Sequence, residues 1–252
     1  MAKDRKTTRK GSPKYGPADS MVTPRFSGVR TYARLPHVVD LDGDVDVAVI
    51  GVPFDTGGTF RVGARFGPEH IRSASALMRP YHQAHHVALF EQLSVVDYGD
   101  LPVVPGYIEE SQRRITQGLL EVLRAGVIPI DLGGDHSIAL PELRALAKVH
   151  GKVALIQLDS HSDTNTAYFG LPHTHGTPMY HAHKEGLLDS AHSIQVGLRG
   201  PCPPCGAGSV QADGRGPLTA GAAAPIGCYR TKLPSAITVT RPVGSWTSRS
   251  KA

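Results

Sequence analysis

Cysteine is missing from residues 1–200, and the three cysteines of the chain all follow that segment. An odd number of cysteines without a leader segment argues against a disulfide framework. The chain also lacks any run of about 18 apolar residues, so we predict no membrane-spanning helix. The first twenty residues contain no apolar stretch of the kind found in secretory signals, and we therefore expect a cytoplasmic location.

An excess of charge of one sign is also missing from most of the chain. The net charge is +5, but the segment from Pro201 to Ala252 carries six basic residues against one acid, Asp213, and so accounts for the whole excess. Residues 1–200 therefore provide no net basic surface that could follow a phosphate backbone. A nucleic-acid binder is the least favoured class, because it would rest on this tail alone.

Residues 201–252 differ in composition from the rest of the chain. They hold seven prolines and seven glycines with few large aliphatic residues, a mixture that buries too little surface to offset chain entropy. We predict a disordered basic tail, and the abrupt change is typical of a frameshift or a wrongly assigned gene end. Cys202 and Cys205 have zinc or redox spacing, but no second pair follows, so we interpret the spacing as chance.

Between residues 45 and 200, short β-branched runs alternate with longer helical stretches. The predicted strands are Val45–Gly51, Leu93–Asp97, 127–131, Val153–Asp159 and Ser193–Leu198. The predicted helices are Pro68–Leu77, Glu109–Ala125, Pro141–Val149 and Met179–Leu188. The second helix has the clearest pattern, with one apolar face at residues 115, 119, 122 and 123. Apolar strands that alternate with helices predict a mainly parallel sheet covered on both faces.

Side chains that bind metals follow two of these strands. His136 comes just after the strand at 127–131, and Asp159, His161 and Asp163 follow the next strand. In parallel α/β sheets, functional groups collect beyond the carboxyl ends of strands. In an extended chain, positions 159, 161 and 163 would point to one side, toward His136. This oxygen and nitrogen set suits Mn²⁺, Zn²⁺ or Fe²⁺. For any one of these residues a turn cap or a buried, satisfied histidine is the better interpretation, but four together favour a metal.

Four motifs in this region resemble those of one enzyme family. They are GVPFDTGGTFRVGARFGPEHIR (51–72), LGGDHS (132–137), LDSHSD (158–163) and HTHGTP (173–178). They look like the ureohydrolases, which include agmatinase, arginase, guanidinobutyrase and formimidoylglutamase. The segment TPRFSGVRTYARLP (23–36) is most similar to the agmatinase and guanidinobutyrase branch.

The resemblance covers about residues 20–200. It implies a three-layer α/β/α fold of the arginase type with a mainly parallel sheet, truncated here after about residue 200. We accordingly divide the chain into an N-terminal arm (1–40), a partial ureohydrolase domain (41–200) and the Gly/Pro-rich tail (201–252).

The same resemblance implies the role of each site residue. His136, Asp159 and Asp163 would hold a first Mn²⁺, and His161 would bind a second, with Asp159 bridging both ions. Members of the family use an activated water to hydrolyse a guanidino group to urea and an amine. Asp163 would also orient that water, and His175 would protonate the departing amine.

The family completes its metal site with two further aspartates in a motif of the form S-F-D-x-D-x-x-D-P. After Asp189 the only carboxylate side chain here is Asp213, and its surroundings do not resemble that motif. The first ion would keep three protein ligands and the second only two, which is a weak site for Mn²⁺. We therefore predict that this chain lacks normal ureohydrolase turnover, and that its sheet ends in an unpaired edge over an incomplete core.

Several interpretations remain open from the sequence. The chain could act on agmatine, on 4-guanidinobutanoate or 3-guanidinopropanoate, or be an inactive fragment; the candidate substrates differ only at the end remote from the guanidino carbon. The resemblance also implies homo-oligomers. Six further histidines are not expected to bind metal: three before a strand, and three beside His175 that we place on loops or the surface, namely His82, His85, His86, His173, His181 and His183.

Overall fold

The computed structural model describes residues 13–41 and 43–199, together with the backbone of two later strands. Five α-helices and nine strands occur in this part of the chain. In order they are β1 Val47–Val52, α1 Gly67–Ser75, β2 Tyr81–His82, β3 Val87–Ala88, α2 Leu89–Gln92, β4 Val95–Asp100, α3 Ile108–Arg124, β5 Ile128–Gly133, α4 Ala139–His150, β6 Val153–Leu158, α5 Pro178–Lys184, β7 Ile194–Val196, β8 Gly227–Tyr229 and β9 Ile237–Pro242. Short 3-10 helices occupy Tyr32–Arg34, Ala64–Phe66, His136–Ile138 and Ser190–His192. None of the described helices is long and apolar enough to cross a bilayer.

The predicted alternation of strands and helices is confirmed, with boundaries shifted by a few residues. The strands form two larger sheets, ordered β4-β1-β5 and β8-β7-β6-β9. All pairs in them are parallel except β6 with β9. The sequence did not predict the small antiparallel pair β2–β3, because two-residue strands are too short to show a period.

Helix α3 covers one face of the first sheet. Its predicted apolar face is buried, and it packs against alternate residues of β1, whose side chains point to one side of a strand. The two sets are Ile115, Leu119, Val122 and Leu123 from the helix and Ala48, Ile50 and Val52 from the strand.

The opposite face is covered by α1 and by part of the predicted N-terminal arm. Val47 and Val49 of β1 pack there against Ala33 and Leu35. The backbone N–H of Ala33 donates to the Ser75 hydroxyl of α1 at 2.7 Å. Residues 31–35 therefore belong to the core, and this sheet has the predicted three layers.

The second sheet packs against α4 and α5 through Val153 and Leu155 of β6. The sequence predicts no regular element after Gly200, whereas the strands β8 and β9 of that segment pair with β7 and β6. The other residues of the predicted tail, including Cys202 and Cys205, lie outside the described residues.

The far side of β5 is open within the described part of the chain, since β5 pairs there with β1 alone. Ile128 and Ile130 are 62% and 49% exposed, and Ile156 of β6 is 47% exposed. Exposed aliphatic side chains on an edge strand are uncommon in a finished sheet. The predicted unpaired edge is therefore observed at β5, and the predicted cover on both faces is incomplete there.

Two acidic side chains meet between β5 and α4. Asp131 and Glu142 share a hydrogen bond, and one carboxylate oxygen of Asp131 is buried without a partner among the described residues. Burial raises the pKa of Asp131 above its usual range. Burial also raises the pKa of Glu142, and the nearby charge of Asp131 adds to that effect.

This acid pair makes stability fall as pH rises. The folded chain keeps protons on these carboxyl groups at pH values where the unfolded chain, with acid pKa values near 4, has lost them. We expect Asp131→Asn to be more stable than the parent at pH 8, by about 1 kcal/mol or more, and to lose that advantage near pH 4. Urea denaturation at several pH values measures this.

Glu109→Gln, on the exposed first turn of α3, is the matched control and should give a curve parallel to that of the parent. If the stability of Asp131→Asn also followed pH in parallel with the parent, the raised pKa of this acid pair would be contradicted.

Candidate metal centre

The loop after β5 presents His136 at the carboxyl edge of the sheet. Asp135 precedes it and caps the short 3-10 helix, since its carboxylate accepts from the Ser137 N–H at 2.8 Å and from the Ser137 hydroxyl at 2.5 Å. A Cβ atom on Gly134 would lie 2.1 Å from the Phe54 carbonyl oxygen, so only glycine fits there. Close contact with the chain after β1 therefore holds His136 in place.

Three of the four predicted metal ligands come together. Nδ1 of His136 is hydrogen-bonded to Asp163 and lies 3.4 Å from Oδ2 of Asp159. The candidate ligand atoms of the three residues all lie within 4.8 Å of one another. Both carboxylates are buried, each with 7% of its surface exposed. We call these three residues the metal trio.

The trio forms a strongly negative, shielded environment. Burial disfavours the charged form of His136, but the hydrogen bond to Asp163 and the charges of Asp159 and Asp135 outweigh it, so the pKa of His136 is raised. Burial also raises the pKa of Asp135, despite its hydrogen bonds from Ser137. Such a site favours a positive charge, which a divalent cation would supply.

His161, the fourth predicted ligand, is not part of this cluster, although it lies near Asp159. Its side chain is 72% exposed, and its Nδ1 lies 3.8 Å from Oδ1 of Asp159. The segment after β6 is not extended, because Asp159 accepts from the His161 N–H at 2.9 Å and Asp163 has a φ of +51°. Strict alternation of side chains therefore does not apply to this turn.

Two buried glutamines support the turn, and the sequence reasoning missed both. Gln157 donates to Oδ2 of Asp159 at 3.2 Å, while Gln195 donates to the Gln157 side chain at 2.6 Å and to the Ser162 carbonyl at 2.7 Å. The two glutamines are neighbours in register on β6 and β7. The sequence did contain a signal for this pair, because each glutamine interrupts an apolar strand. A buried amide needs hydrogen-bond partners, so two such residues are expected to pair.

His175 lies in the segment before α5 and is held from two sides. Its backbone N–H donates to the Gly57 carbonyl at 2.8 Å, and its Nε2 lies 2.8 Å from the Thr59 hydroxyl. The first turn of α5, which follows this segment, is tied to the trio, because the Met179 N–H donates to the Asp163 carbonyl at 3.1 Å. Thr59 was also missed, since 116 residues separate it from His175.

The loop that carries Gly57 and Thr59 is fixed by one carboxylate. Asp55 is 1% exposed and accepts from the Gly63 N–H at 2.7 Å and from Nε of Arg65 at 2.7 Å. The hydrogen bond from Arg65 holds the pKa of Asp55 down to about 2, against the opposing effect of burial. Both ends of the loop are therefore tied to the same side chain.

The remaining predicted histidines lie elsewhere. His82 and His85 are exposed near the β2–β3 pair, with ring centroids 4.6 Å apart. His181 and His183 belong to α5, where His183 is exposed at the surface, as predicted. Burial lowers the pKa of His173. Within the described residues, the trio is the cluster of three metal-binding side chains that the fold brings together.

Side chains that could hold a metal ion thus lie beyond the carboxyl ends of two strands, β5 and β6, of an α/β fold. Comparison with known proteins gives the family. The model of the arginase family matches residues 45–212. The chain belongs to the arginase family, as its motifs predict.

Curated relatives include a guanidinobutyrase, a guanidinopropionase and an agmatinase. Guanidinobutyrase of Pseudomonas aeruginosa is 45% identical over 179 residues, covering 70% of this chain and 56% of the relative. Guanidinopropionase of the same organism is 44% identical, covering 73% and 58%. Agmatinase of Escherichia coli is 40% identical, covering 67% and 55%. The chain thus spans little more than half the length of these relatives.

Solved structures agree on the fold. Proclavaminate amidinohydrolase from Streptomyces clavuligerus has a TM-score of 0.67 at 39% identity, covering 72% of this chain and 60% of that one. A hypothetical agmatinase from Burkholderia thailandensis has a TM-score of 0.69 at 36% identity, covering 75% and 60%. The arginase-type α/β fold predicted from the motifs is therefore confirmed.

The hydrogen bonds from Gly63 and Arg65 to Asp55, which we call the loop clasp, should contribute to the free energy of unfolding. Because the folded-state pKa is lowered, the stabilisation is fully present above about pH 4 and is lost as pH falls toward about 2. We expect Asp55→Asn to lower the free energy of unfolding by about 2 kcal/mol at pH 7. In urea denaturation, this difference should shrink between pH 4 and pH 2.

Asp44→Asn is the control, since Asp44 is 56% exposed and lies 3.7 Å from Lys14. An exposed pair of this kind contributes about 0–1 kcal/mol. An equal loss in both variants would contradict the clasp.

Proposed function

We propose that the protein carries a ureohydrolase site that hydrolyses a linear guanidino compound to urea and an amine with manganese as cofactor. The observation that carries this proposal is the metal trio at the carboxyl ends of β5 and β6, in a chain of the arginase family. The names of the relatives support the reaction class.

The donor set of the trio fits manganese. It combines one imidazole nitrogen with carboxylate oxygens, and hard oxygen donors with an imidazole suit Mn²⁺. The close approach of two buried carboxylates to His136 supports this fit, because their negative charge favours a cation. His136, Asp159 and Asp163 would hold the first ion, and Asp159 with His161 would contribute to a second. Bound manganese supplies a Lewis acid and lowers the pKa of a coordinated water.

The other roles fall to Asp163 and His175. A free oxygen of the Asp163 carboxylate would accept a hydrogen bond from the attacking water and orient it. His175 would carry a proton to the departing amine nitrogen, which must leave as a neutral amine. Its segment is bonded to the backbone of Asp163 through Met179, which supports this placement.

The substrate class is a small molecule with a guanidino group. Agmatine is the first candidate, and a guanidino acid is the second, because the guanidinobutyrase and guanidinopropionase relatives are 45% and 44% identical to this chain. These compounds carry opposite charges at the end remote from the guanidino carbon. Discrimination therefore depends on groups outside the trio.

We further propose that the second ion site is incomplete in this chain. Asp213 is the sole carboxylate side chain after Asp189, so the sequence offers no counterpart of the two later family aspartates. An ion with two protein ligands binds weakly, since several oxygen donors set the affinity for manganese.

Manganese binding tests the trio directly. We expect the purified chain to bind one Mn²⁺ tightly, and Asp163→Asn or His136→Ala to weaken binding by about 100-fold or more, because even outer partners of a metal ligand contribute about 10–100-fold. Calorimetric titration and the electron paramagnetic resonance of free Mn²⁺ measure this. His82→Ala, an exposed histidine outside the trio, is the control, and binding that survives in both trio variants would remove the proposed site.

Urea release tests the reaction. Agmatine, 4-guanidinobutanoate and 3-guanidinopropanoate are each incubated with the manganese-loaded chain, with the Pseudomonas guanidinobutyrase as reference. We expect a rate at least about 100-fold below the reference, since the second ion lacks ligands. Loss of the residual rate in His175→Ala would support the proton-transfer role. A rate equal to that of the reference would show that the second site is complete.

A further inference from the structure

The loop between β1 and α1 reaches across to the segment before α5. Residues 55–65 carry the two groups that contact His175, namely the Gly57 carbonyl and the Thr59 hydroxyl, each at 2.8 Å. One contact fixes the backbone of His175 and the other fixes its ring. A single loop therefore sets both the position and the orientation of this side chain.

The position of Thr59 within this loop is itself constrained. Asp55 accepts hydrogen bonds from the Gly63 N–H at 2.7 Å and from the Arg65 N–H at 3.3 Å, which ties the start of the loop to its end. Gly57 lies so close to Ser137 that an added Cβ would come within 2.7 Å of that side chain. The Thr59 hydroxyl is thus presented from a fixed backbone.

We propose that Thr59 is a positioning residue that keeps the His175 ring in one orientation in both of its protonation states. A hydroxyl can donate to the neutral ring at Nε2 and can accept from the protonated ring at the same atom. A carbonyl or carboxylate could only accept. When Thr59 donates to Nε2, the neutral ring carries its hydrogen at Nδ1, so the additional proton of the charged ring is gained and lost at Nε2.

The catalytic role of the His175 proton rests on the proposed function. The contact between Thr59 and His175 does not depend on it. The charge of His175 acts to lower the pKa of Asp135, and Asp135 stays unchanged in the variants below. The competing interpretation is that the bond only anchors the loop. In that case its loss would change stability without changing the ring of His175.

Nuclear magnetic resonance of the histidine rings tests the proposal in the full chain, without metal or substrate. His175 signals are assigned with His175→Gln, and spectra are recorded at pH 5.5 and pH 8.5 for the parent, Thr59→Val and Thr59→Ser. We expect the Nε2 signal of His175 in Thr59→Val to move at both pH values toward those of exposed rings such as His161. Thr59→Ser, which retains the hydroxyl, should keep the parent positions.

Thr56→Val is the matched control, because Thr56 lies in the same loop and its hydroxyl accepts from the Gly106 N–H at 3.2 Å. His175 signals that stay at the parent positions in Thr59→Val, or that move equally in Thr56→Val, would overturn the proposal. A response limited to Thr59→Val would support it even if no urea is released, so this test and that of the reaction can fail separately.

Discussion

The contact between one imidazole and two buried carboxylates is the constraint on which the site depends. His136 follows β5 of the first sheet, whereas Asp159 and Asp163 follow β6 of the second. No strand hydrogen bonds join these sheets within the described residues, so the trio links them through side chains. Burying two carboxylates beside one histidine is costly unless positive charge is supplied. The trio is accordingly a group of side chains that could hold a divalent cation.

Elements with no metal-binding role set the geometry around the trio. The glutamine pair on β6 and β7 aligns Asp159, and the loop clasped by Asp55 presents Gly57 and Thr59 to His175. In each case a buried polar group is satisfied by another part of the chain, because leaving it unpaired would cost about 1–3 kcal/mol. These hydrogen bonds therefore stabilise the fold and orient the functional groups together.

Strand β5, which pairs with β1 alone among the described residues, exposes apolar side chains. Ile128 and Ile130 of β5 are 62% and 49% exposed, whereas Asp131, the next residue along β5, is hydrogen-bonded to Glu142 of α4. The chain also spans little more than half the length of its relatives in the arginase family. The carboxyl ends of β5 and β6 nevertheless supply the trio, since that part of the site needs only these strands and the loops that follow them.

The sequence by itself determined the order of the longer strands and helices from β1 to β7, the buried face of α3, and the convergence of His136, Asp159 and Asp163. These follow from local periodicity and from the rule that parallel strands end at one edge. Only the tertiary structure decided that the His161 side chain is 72% exposed, because the segment after β6 forms a turn in which Asp159 accepts from the His161 N–H. It also decided the split into two sheets and the bond from Thr59 to His175. Such contacts join residues far apart in the chain, and no local pattern encodes them.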